Sequence, residues 1–194
     1  MTDARGATLL DTLFALALCV TMAAIAVPVV GGSLDRERTI VGTQYLAGQL
    51  QRARLESLKQ GRSVAVRLEM VDQRARLQLF VDGNGNGVSQ RDIDRAIDAP
   101  LAPPEFLDDR SRDVSLRVNQ RIVDVSGAGE IAPGDDPLRI GNTALLAFSP
   151  LGGATSGTLY VAAHRGPQMA IRVFGGTGRV RVLMFDAQAR QWRH

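Results

Sequence analysis

The stretch DTLFALALCVTMAAIAVPVVGGSLD, residues 11–35, decides the fold of this 194-residue chain. No charged residue lies between Asp11 and Asp35, and residues 13–32 are almost wholly apolar. As a helix rising about 1.5 Å per residue, this segment would span about 30 Å, the thickness of a bilayer's hydrocarbon core. A carboxylate at the edge of such a segment is costly without a partner, so we expect Asp11 to have a function.

The composition excludes several classes of protein. With 45% hydrophobic residues and a formal net charge of +3, the chain is too apolar and too weakly charged to be disordered. One cysteine excludes a disulfide framework and a cysteine-based zinc site. The charges are unevenly distributed: residues 82–136 have twelve acidic residues against six arginines, and residues 137–194 have seven arginines against one acid. This asymmetry indicates either two faces with different partners or a solvated surface with internal ion pairs.

The residues before the apolar stretch, RGATLLD at 5–11, resemble the prepilin cleavage motif of type IV pilin-like proteins. The resemblance implies that a prepilin peptidase removes residues 1–6 by cutting after Gly6, and that Ala7 is then N-methylated. In the family, a glutamate at the position of Asp11 neutralises the terminal amine of a neighbouring subunit in the filament. Pro28 falls where many pilins have a proline that kinks the helix. This chain differs from the family in having alanine at position 7, where phenylalanine is usual, and aspartate at position 11.

Two other interpretations of the N-terminus remain open. A secretory signal peptide has a basic first region, a shorter apolar core and a cleavage site after it. A plain signal anchor fits the length of the apolar stretch but leaves the acid at position 11 without a role. Each alternative predicts a chain that is not cleaved after Gly6.

One long helix is predicted from about Thr8 to Gln60, with a kink at Pro28. Residues 7–32 would form its transmembrane or filament-core part, and residues 33–60 an amphipathic part that packs on the globular domain. Ser33 is the predicted cap of this second part. Its predicted apolar residues recur near helical spacing and are Ile40, Val41, Leu46, Leu50, Leu55 and Leu58.

Beyond residue 61 the hydrophobic pattern changes to a period of two. Val64–Met70 and Leu77–Val81 predict an antiparallel hairpin with one buried face. Further strands are predicted at Val114–Val125, Thr143–Ser149, Gly157–Ala163, Met169–Phe174 and Arg179–Phe185. A long helix followed by a run of strands indicates an α+β fold, in which the helix packs on an antiparallel sheet and residues 61–194 form one β-rich domain.

Segments of the C-terminal half resemble GspH/FimT-type minor pseudopilins. They are FSPLG at 148–152, SGTLYV at 156–161 and TGRVR at 177–181, whereas residues 98–138 show no resemblance. The resemblance implies a pilin-like fold and a single-pass inner-membrane protein with a periplasmic C-terminal domain. It also implies assembly with other pseudopilins or pilins, on an inner-membrane platform, into a type II secretion pseudopilus or a type IV pilus, in a priming or tip role. The other hypotheses are a DNA-binding minor pilin of DNA uptake and a signal-anchored periplasmic binding domain.

The segment DGNGNG at residues 82–87 matches the first half of an EF-hand-type calcium loop, which has oxygen ligands at alternate positions and then a glycine. The position of the closing bidentate carboxylate is occupied by Ile93, between two acids. The candidate ligands are the side chains of Asp82, Asn84, Asn86, Asp92 and Asp94 and the carbonyl of Val88. The alternative is a glycine/asparagine turn after a strand. No other cofactor is predicted.

The segment Gly178–Arg181 is a candidate nucleic-acid site. On a strand, Arg179 and Arg181 project from the same face, near Arg172 and the arginines at 190 and 193. Arginines on one face can contact phosphates without reading sequence. A Gly-Arg-x-Arg segment near the C-terminus also resembles minor pilins linked to DNA uptake, which implies DNA as a partner. The alternative is an exposed edge strand that its charges protect from aggregation.

Catalytic residues are not evident, and we expect a protein that is not an enzyme. Cys19 lies in the apolar stretch and is interpreted as a packing residue, and His164 has no nucleophile suggested beside it. The acid pairs at 108–109 and 135–136 are interpreted as solvated turns.

Overall fold

The computed structural model of the protein describes residues 9–141 and 143–193, and for residues 25–30 it describes the backbone alone. The chain divides into two compact units, one ending at Leu34 and the other comprising Asp35–His194. The first unit, as far as it is described, is the N-terminal part of helix α1 (Leu9–Gln60). The second contains the rest of α1 and the described strands, so the protein has an α+β fold with a helix packed on antiparallel sheets.

The side chains that the structure describes in the first unit are exposed. Residues 9–24 are exposed without exception. The large apolar side chains among them are each more than half exposed: Leu9, Leu10, Leu13, Phe14, Leu16, Leu18, Val20 and Met22. Within the described part of the chain, no helix combines the length and the hydropathy that crossing a membrane requires.

The first sheet contains the predicted hairpin, which is confirmed. Strands β1 (Val64–Val71) and β2 (Arg74–Val81) pair along their whole length. Residues 72–73 close the hairpin, and both have a positive φ (49° and 63°), as the tight two-residue turns that suit the twist of paired strands require. The other strands of this sheet pair with the outer sides of the hairpin: β9 (Leu145–Phe148) with β1, and β3 (Ala99–Pro100) and β4 (Glu105–Phe106) with β2.

The second sheet is built from the C-terminal part of the chain. Its central strands are β10 (Gly157–Ala162), β11 (Met169–Phe174) and β12 (Arg179–Asp186), in agreement with the predicted strands. The strands that complete it are β5 (Ser115–Leu116), β8 (Leu138–Arg139) and β13 (Gln191–Arg193). Two short helices complete the domain: α2 (Gln90–Asp94) lies between β2 and β3 of the first sheet, and α3 (Leu107–Arg110) lies in the segment that joins the two sheets.

The single strand predicted over Val114–Val125 is wrong. The chain forms β5, leaves the second sheet, and then forms β6 (Ile122–Val123), which pairs with β7 (Glu130–Ile131) in a separate ribbon. Between β5 and β6, the backbone N–H of Asn119 donates to Gln168 Oε1 (3.0 Å), and Asn119 Nδ2 donates to two backbone carbonyls of the β10–β11 loop. These side-chain bonds take the place of a strand ladder, which is why the apolar alternation does not continue as a strand.

One hydrophobic core joins α1 to both sheets. Leu46, Leu50 and Ala53 of the helix are buried in it. The strands supply residues of their inner faces, among them Val66, Leu68, Leu146, Leu159 and Ile171. Burial of such side chains stabilises the fold by about 1.5–3 kcal/mol each.

The buried face of α1 agrees with the predicted one only in part, with Leu46 and Leu50 buried as expected. Of the six predicted apolar residues, Val41, Leu55 and Leu58 are 52, 65 and 48% exposed. The face that packs on the sheets is instead rich in small residues: Thr39, Thr43, Ala47, Ala53 and Ser57. Small side chains let the helix approach the rest of the domain closely, and this close packing outweighs the hydropathy of the longer side chains. The helix also runs unbroken through Ser33, so this residue does not begin a second helix as predicted.

Candidate functional site

The candidate residues for processing and assembly lie at the N-terminal end of the chain. Gly6 and Ala7 are outside the described residues. Asp11 lies exposed in the first described turn of α1. Pro28 is within α1, but its side chain is outside the described part.

The candidate calcium loop lies between β2 and α2, and its first carboxylate is buried. Asp82 is 2% exposed and accepts three backbone hydrogen bonds. Its Oδ1 accepts from the N–H groups of Asn84 and Gly85, at 3.1 and 2.7 Å, and its Oδ2 accepts from that of Gly87, at 2.8 Å. The loop is therefore folded around this side chain.

Two further carboxylates close the loop, and one of them was not predicted. Asp92 accepts from the side chains of Ser89 (2.9 Å) and Asn86 (3.2 Å), and these hydrogen bonds hold the pKa of Asp92 below its ordinary value. Asp98, which is buried, accepts from the N–H groups of Gly83 and Ser89, both at 3.0 Å. Asp94, a predicted ligand, is exposed and bonds Gln90 instead.

The backbone of this segment explains why glycine is present at three of its positions. A Cβ at Gly83 would lie 1.9 Å from the carbonyl oxygen of Ile97. Gly85 and Gly87 have φ values of 83° and 91°, in the left-handed region that favours glycine. The alternation of glycine with polar residues therefore follows from the backbone of the loop.

This geometry adds no support to the calcium prediction. Among residues 9–141 and 143–193, no three acidic, histidine or cysteine side chains are grouped as metal ligands. Both oxygens of Asp82 and both of Asp98 accept hydrogen bonds from the loop's own N–H groups. Val88, whose carbonyl was a predicted ligand, is half-buried in this loop, and calcium binding stays a prediction.

The second candidate site is a set of residues on the outer face of the second sheet, which we call the arginine face. Strand pairing places Arg181 opposite Arg172, and Arg172 opposite Thr158. The arginine face comprises Arg139, Thr158, Arg172, Phe174, Arg179 and Arg181. Four arginines of β8, β11 and β12 thus share one surface, although only those at 179 and 181 belong to the Gly-Arg-x-Arg segment.

Phe174 lies at the centre of this surface. The guanidinium carbons of Arg172 and Arg181 are 5.9 and 5.5 Å from the centre of its ring, within the range of cation–π attraction. Arg172 also donates to Thr158 Oγ1 at 3.1 Å. Phe174 was not predicted as a site residue, although its position two residues after Arg172 on one strand would have placed it on the same face.

None of the four arginines of this surface lies within 4.0 Å of a carboxylate oxygen in the part of the chain that the structure describes. Arg181 directly opposite Arg172 is an arrangement that destabilises a sheet. The two other predicted arginines do not join the surface: Arg190 pairs with Glu130, and Arg193 pairs with Asp186 (2.8 Å). Glu130 and Asp186 have pKa values held below their ordinary range, Glu130 mainly by its bond from Arg190 and Asp186 mainly by backbone N–H groups.

The rest of the outer face of the second sheet is covered by a small second core. Tyr160, Phe185 and Trp192 pack there, with ring centres 5.1–5.8 Å apart in the pairs that include Trp192. The ribbon of β6 and β7 covers them through Ile122 and Ile131. The second core therefore covers one part of the outer face of the second sheet, and the arginine face is the part that it leaves uncovered.

The residues weighed as catalytic groups have structural contacts or are exposed. Cys19 is exposed, and its interpretation as a packing residue of the apolar stretch stays a prediction. The exposed His164 has its backbone N–H bonded to Asp113 (3.0 Å). The acid pair Asp108–Asp109 lies in α3, not in a loop, and both carboxylates bind the guanidinium of Arg74.

Comparison with known proteins identifies no relative. No family model, no curated protein sequence and no solved structure matches this chain.

Proposed function

We propose that this chain is a minor pseudopilin or pilin of the GspH/FimT type. A prepilin peptidase would cut it after Gly6, and it would assemble through α1 with other pseudopilins or pilins into a type II secretion pseudopilus or a type IV pilus. Before assembly it would be held in the inner membrane by the apolar stretch, with residues 61–194 in the periplasm. The proposal rests on the sequence resemblance and on one structural observation.

The observation that carries the proposal is the contrast between the two parts of α1. From Asp35 onwards the helix packs small side chains against the sheets, whereas in residues 9–24 every side chain is exposed. A helix that is apolar all round is stable only when it is surrounded by lipid or by other helices. Neighbouring subunits of a filament would supply such an environment after the helix leaves the membrane.

Asp11 has a specific role in this proposal. A carboxylate carried into a dry bundle of helices is penalised unless a cation meets it. The free amine of Ala7 in a neighbouring subunit would be that cation. Because the contact joins two different surfaces of successive subunits, it would repeat as an open filament and would not close a dimer.

The test is the N-terminal sequence and the intact mass of the protein isolated from its native membrane. We expect a chain that begins at Ala7 and is heavier by one methyl group. A Gly6→Leu variant is the control and is expected to begin at Met1. A natural chain that begins at Met1, or beyond Pro28, would indicate an anchor or a signal peptide and would end the proposal.

Assembly is tested separately from cleavage. Asp11→Ala is expected to be cleaved normally but to be lost from sheared filament fractions, and Asp11→Glu is expected to be retained because it keeps the charge. Equal recovery of Asp11→Ala and the natural chain in those fractions would contradict the role of this carboxylate.

The second candidate function is DNA binding by the arginine face. It is favoured because the four arginines of this face have no carboxylate partner among the described residues. Four guanidinium groups without paired acids, beside one aromatic ring, suit a phosphate backbone with a base stacked on the ring. The edge-strand alternative keeps some support, since between Arg179 and Leu183 strand β12 pairs only with β11.

A gel-shift titration of the full chain at several salt concentrations tests this candidate. Arg179→Ala/Arg181→Ala is expected to weaken binding at low salt and to reduce the salt slope by about 2, one for each lost phosphate contact. Arg121→Ala/Arg190→Ala removes the same charge from arginines that are paired with Glu130, and is the matched control. Equal effects of the two double variants would reduce the interaction to net charge and refute a specific face.

A further inference from the structure

A cavity between α1 and the start of β12 has the chemistry of an oxoanion site. Its volume is about 220 Å³, and its lining residues are Gln51, Arg54, Leu55, Arg179 and Val180. Liquid water occupies about 30 Å³ per molecule, so the cavity has room for a tetrahedral anion together with several waters. It lies wholly within the unit that starts at Asp35.

Arg54 is the central residue of this cavity. Its Nε is buried and has no hydrogen-bond partner among the described residues. An N–H group of a charged side chain that is removed from water without an acceptor is unfavourable, and native proteins contain few of them. Because this Nε is closed off from solvent, a ligand would be held by the parts of Arg54 that line the cavity.

The charges around the cavity are uncompensated. Neither Arg54 nor Arg179 lies within 4.0 Å of a carboxylate oxygen in the described part of the chain. The nearest acid along the helix, Glu56, is occupied by Lys59 (3.8 Å) and Gln60 (3.0 Å). Arg54 and Arg179 together bring a formal charge of +2 to the lining, and Gln51 adds an amide side chain; this set matches a doubly charged anion better than a single carboxylate.

Gly178 explains how the two arginines come together. Its φ is +59°, and a Cβ on it would lie 3.1 Å from the carbonyl oxygen of Gly152 and 3.3 Å from Arg54 Nε. The bare backbone at this position lets the β11–β12 turn lie directly against Arg54. Arg179, the next residue, is thereby brought to the cavity.

We propose that this cavity binds a phosphate group through Arg54 and Arg179, with Gln51 as an additional donor. The phosphate is either free, as inorganic phosphate or a monoester, or part of a nucleic-acid backbone, because Arg179 lines the cavity and also belongs to the arginine face. The site does not depend on filament assembly. If phosphate does not bind in the test below, the proposal on processing and assembly is unaffected. A failure of that proposal likewise does not affect this one.

The test is a titration of the full chain, purified in mild detergent, with inorganic phosphate at constant ionic strength. Arginine Nε–H signals are followed by NMR, and the signal of Arg54 is assigned by its absence in Arg54→Lys. We expect a saturable shift of that signal, and about tenfold weaker binding in Arg54→Lys and Arg179→Gln measured by calorimetry, because each removes a charge-assisted hydrogen bond. Arg52→Gln removes a charge from an exposed neighbour on the same helix and is expected to bind as the natural chain does.

A second arm distinguishes the sources of the phosphate. If a short oligothymidylate shifts the Arg54 signal at lower phosphate-group concentration than inorganic phosphate does, the site serves a nucleic-acid backbone. If only inorganic phosphate shifts it, the site serves a free phosphate. No shift with either ligand, or equal weakening in Arg52→Gln and Arg54→Lys, would overturn the proposal; Arg179→Gln, at an exposed position, keeps the test valid if Arg54→Lys unfolds.

Discussion

We expect this protein to lose stability at alkaline pH because of Tyr160, and we expect a variant without the Tyr160 hydroxyl not to show this loss. Tyr160 is fully buried in the second core, where its hydroxyl oxygen accepts the N–H of Val125 at 3.0 Å. Burial raises the pKa of Tyr160 from 10.0 to about 12. The neutral phenol is therefore favoured in the folded state, and the unfolded chain ionises first as the pH rises.

The sign and size of the effect follow from this difference in pKa. The contribution to stability is complete below pH 10, the pKa of the unfolded state, and is lost as the pH rises towards 12. The loss is about 1.4 kcal/mol at pH 11 and about 2.7 kcal/mol at its limit. Tyr160→Phe should be less stable by about 1 kcal/mol at pH 7, because the N–H of Val125 loses its acceptor, but should not show the alkaline loss.

The assay is urea unfolding of the full chain at pH 7, 9, 10 and 11, followed by the fluorescence of Trp192. Trp192 is the one tryptophan of the sequence, and its ring centre is 5.8 Å from that of Tyr160, so its emission reports on this core. Tyr45→Phe, which changes the one other tyrosine among the described residues, is the matched control and should keep the alkaline loss. A natural chain that is equally stable at pH 9 and 11, or a Tyr160→Phe variant that loses as much stability as the natural chain does, would refute the reasoning.

Four further variants test the packing of α1 and the Asp82 loop. Leu50→Ala should lower the free energy of unfolding by about 2–5 kcal/mol because Leu50 is fully buried, whereas Leu55→Ala should change it by less than about 0.5 kcal/mol; similar losses in urea denaturation would mean that the helix face is assigned wrongly. Gly166→Ala should cost about 1–3 kcal/mol, because a Cβ there would lie 2.1 Å from Thr39 Oγ1, and an unchanged melting temperature would argue against this close approach. Asp82→Ala removes the acceptor of three backbone N–H groups and should destabilise the chain by about 2 kcal/mol. In calorimetry the natural chain should release or absorb heat with millimolar calcium and the Asp82→Ala variant should not; no heat from the natural chain would contradict the calcium prediction.

Local sequence patterns predicted the elements whose signals are complete within a few residues. The alternation in 64–81 predicted β1 and β2, and the apolar runs bounded by glycine and proline predicted β10, β11 and β12. In 64–81 the period of two records a buried face, whereas β10 and β11 are buried on both faces along most of their length and therefore form continuous apolar runs. The long helix was predicted from apolar residues at helical spacing, and its predicted end at Gln60 is confirmed. The next residue, Gly61, has a φ of +63°, a conformation that commonly ends a helix.

The sequence predicted the packing of α1 only in part, with Leu46 and Leu50 buried as expected. Hydropathy indicated Leu55 and Leu58 as core residues, yet the sheets contact the side of α1 that carries Thr39 and Ser57. Which face of a helix is buried depends on the shape of the surface that meets it, and a sheet that approaches closely selects small side chains over large ones.

The sequence by itself therefore determined the fold class, the main strands and the N-terminal resemblance on which the proposed function rests. Only the tertiary structure decided which distant residues meet: Asp98 with the Asp82 loop, Arg139 with the arginine face, and Arg54 with Arg179. The physical reason is that strand pairing and helix packing join residues separated by many tens of positions, and no local period in a sequence records such contacts.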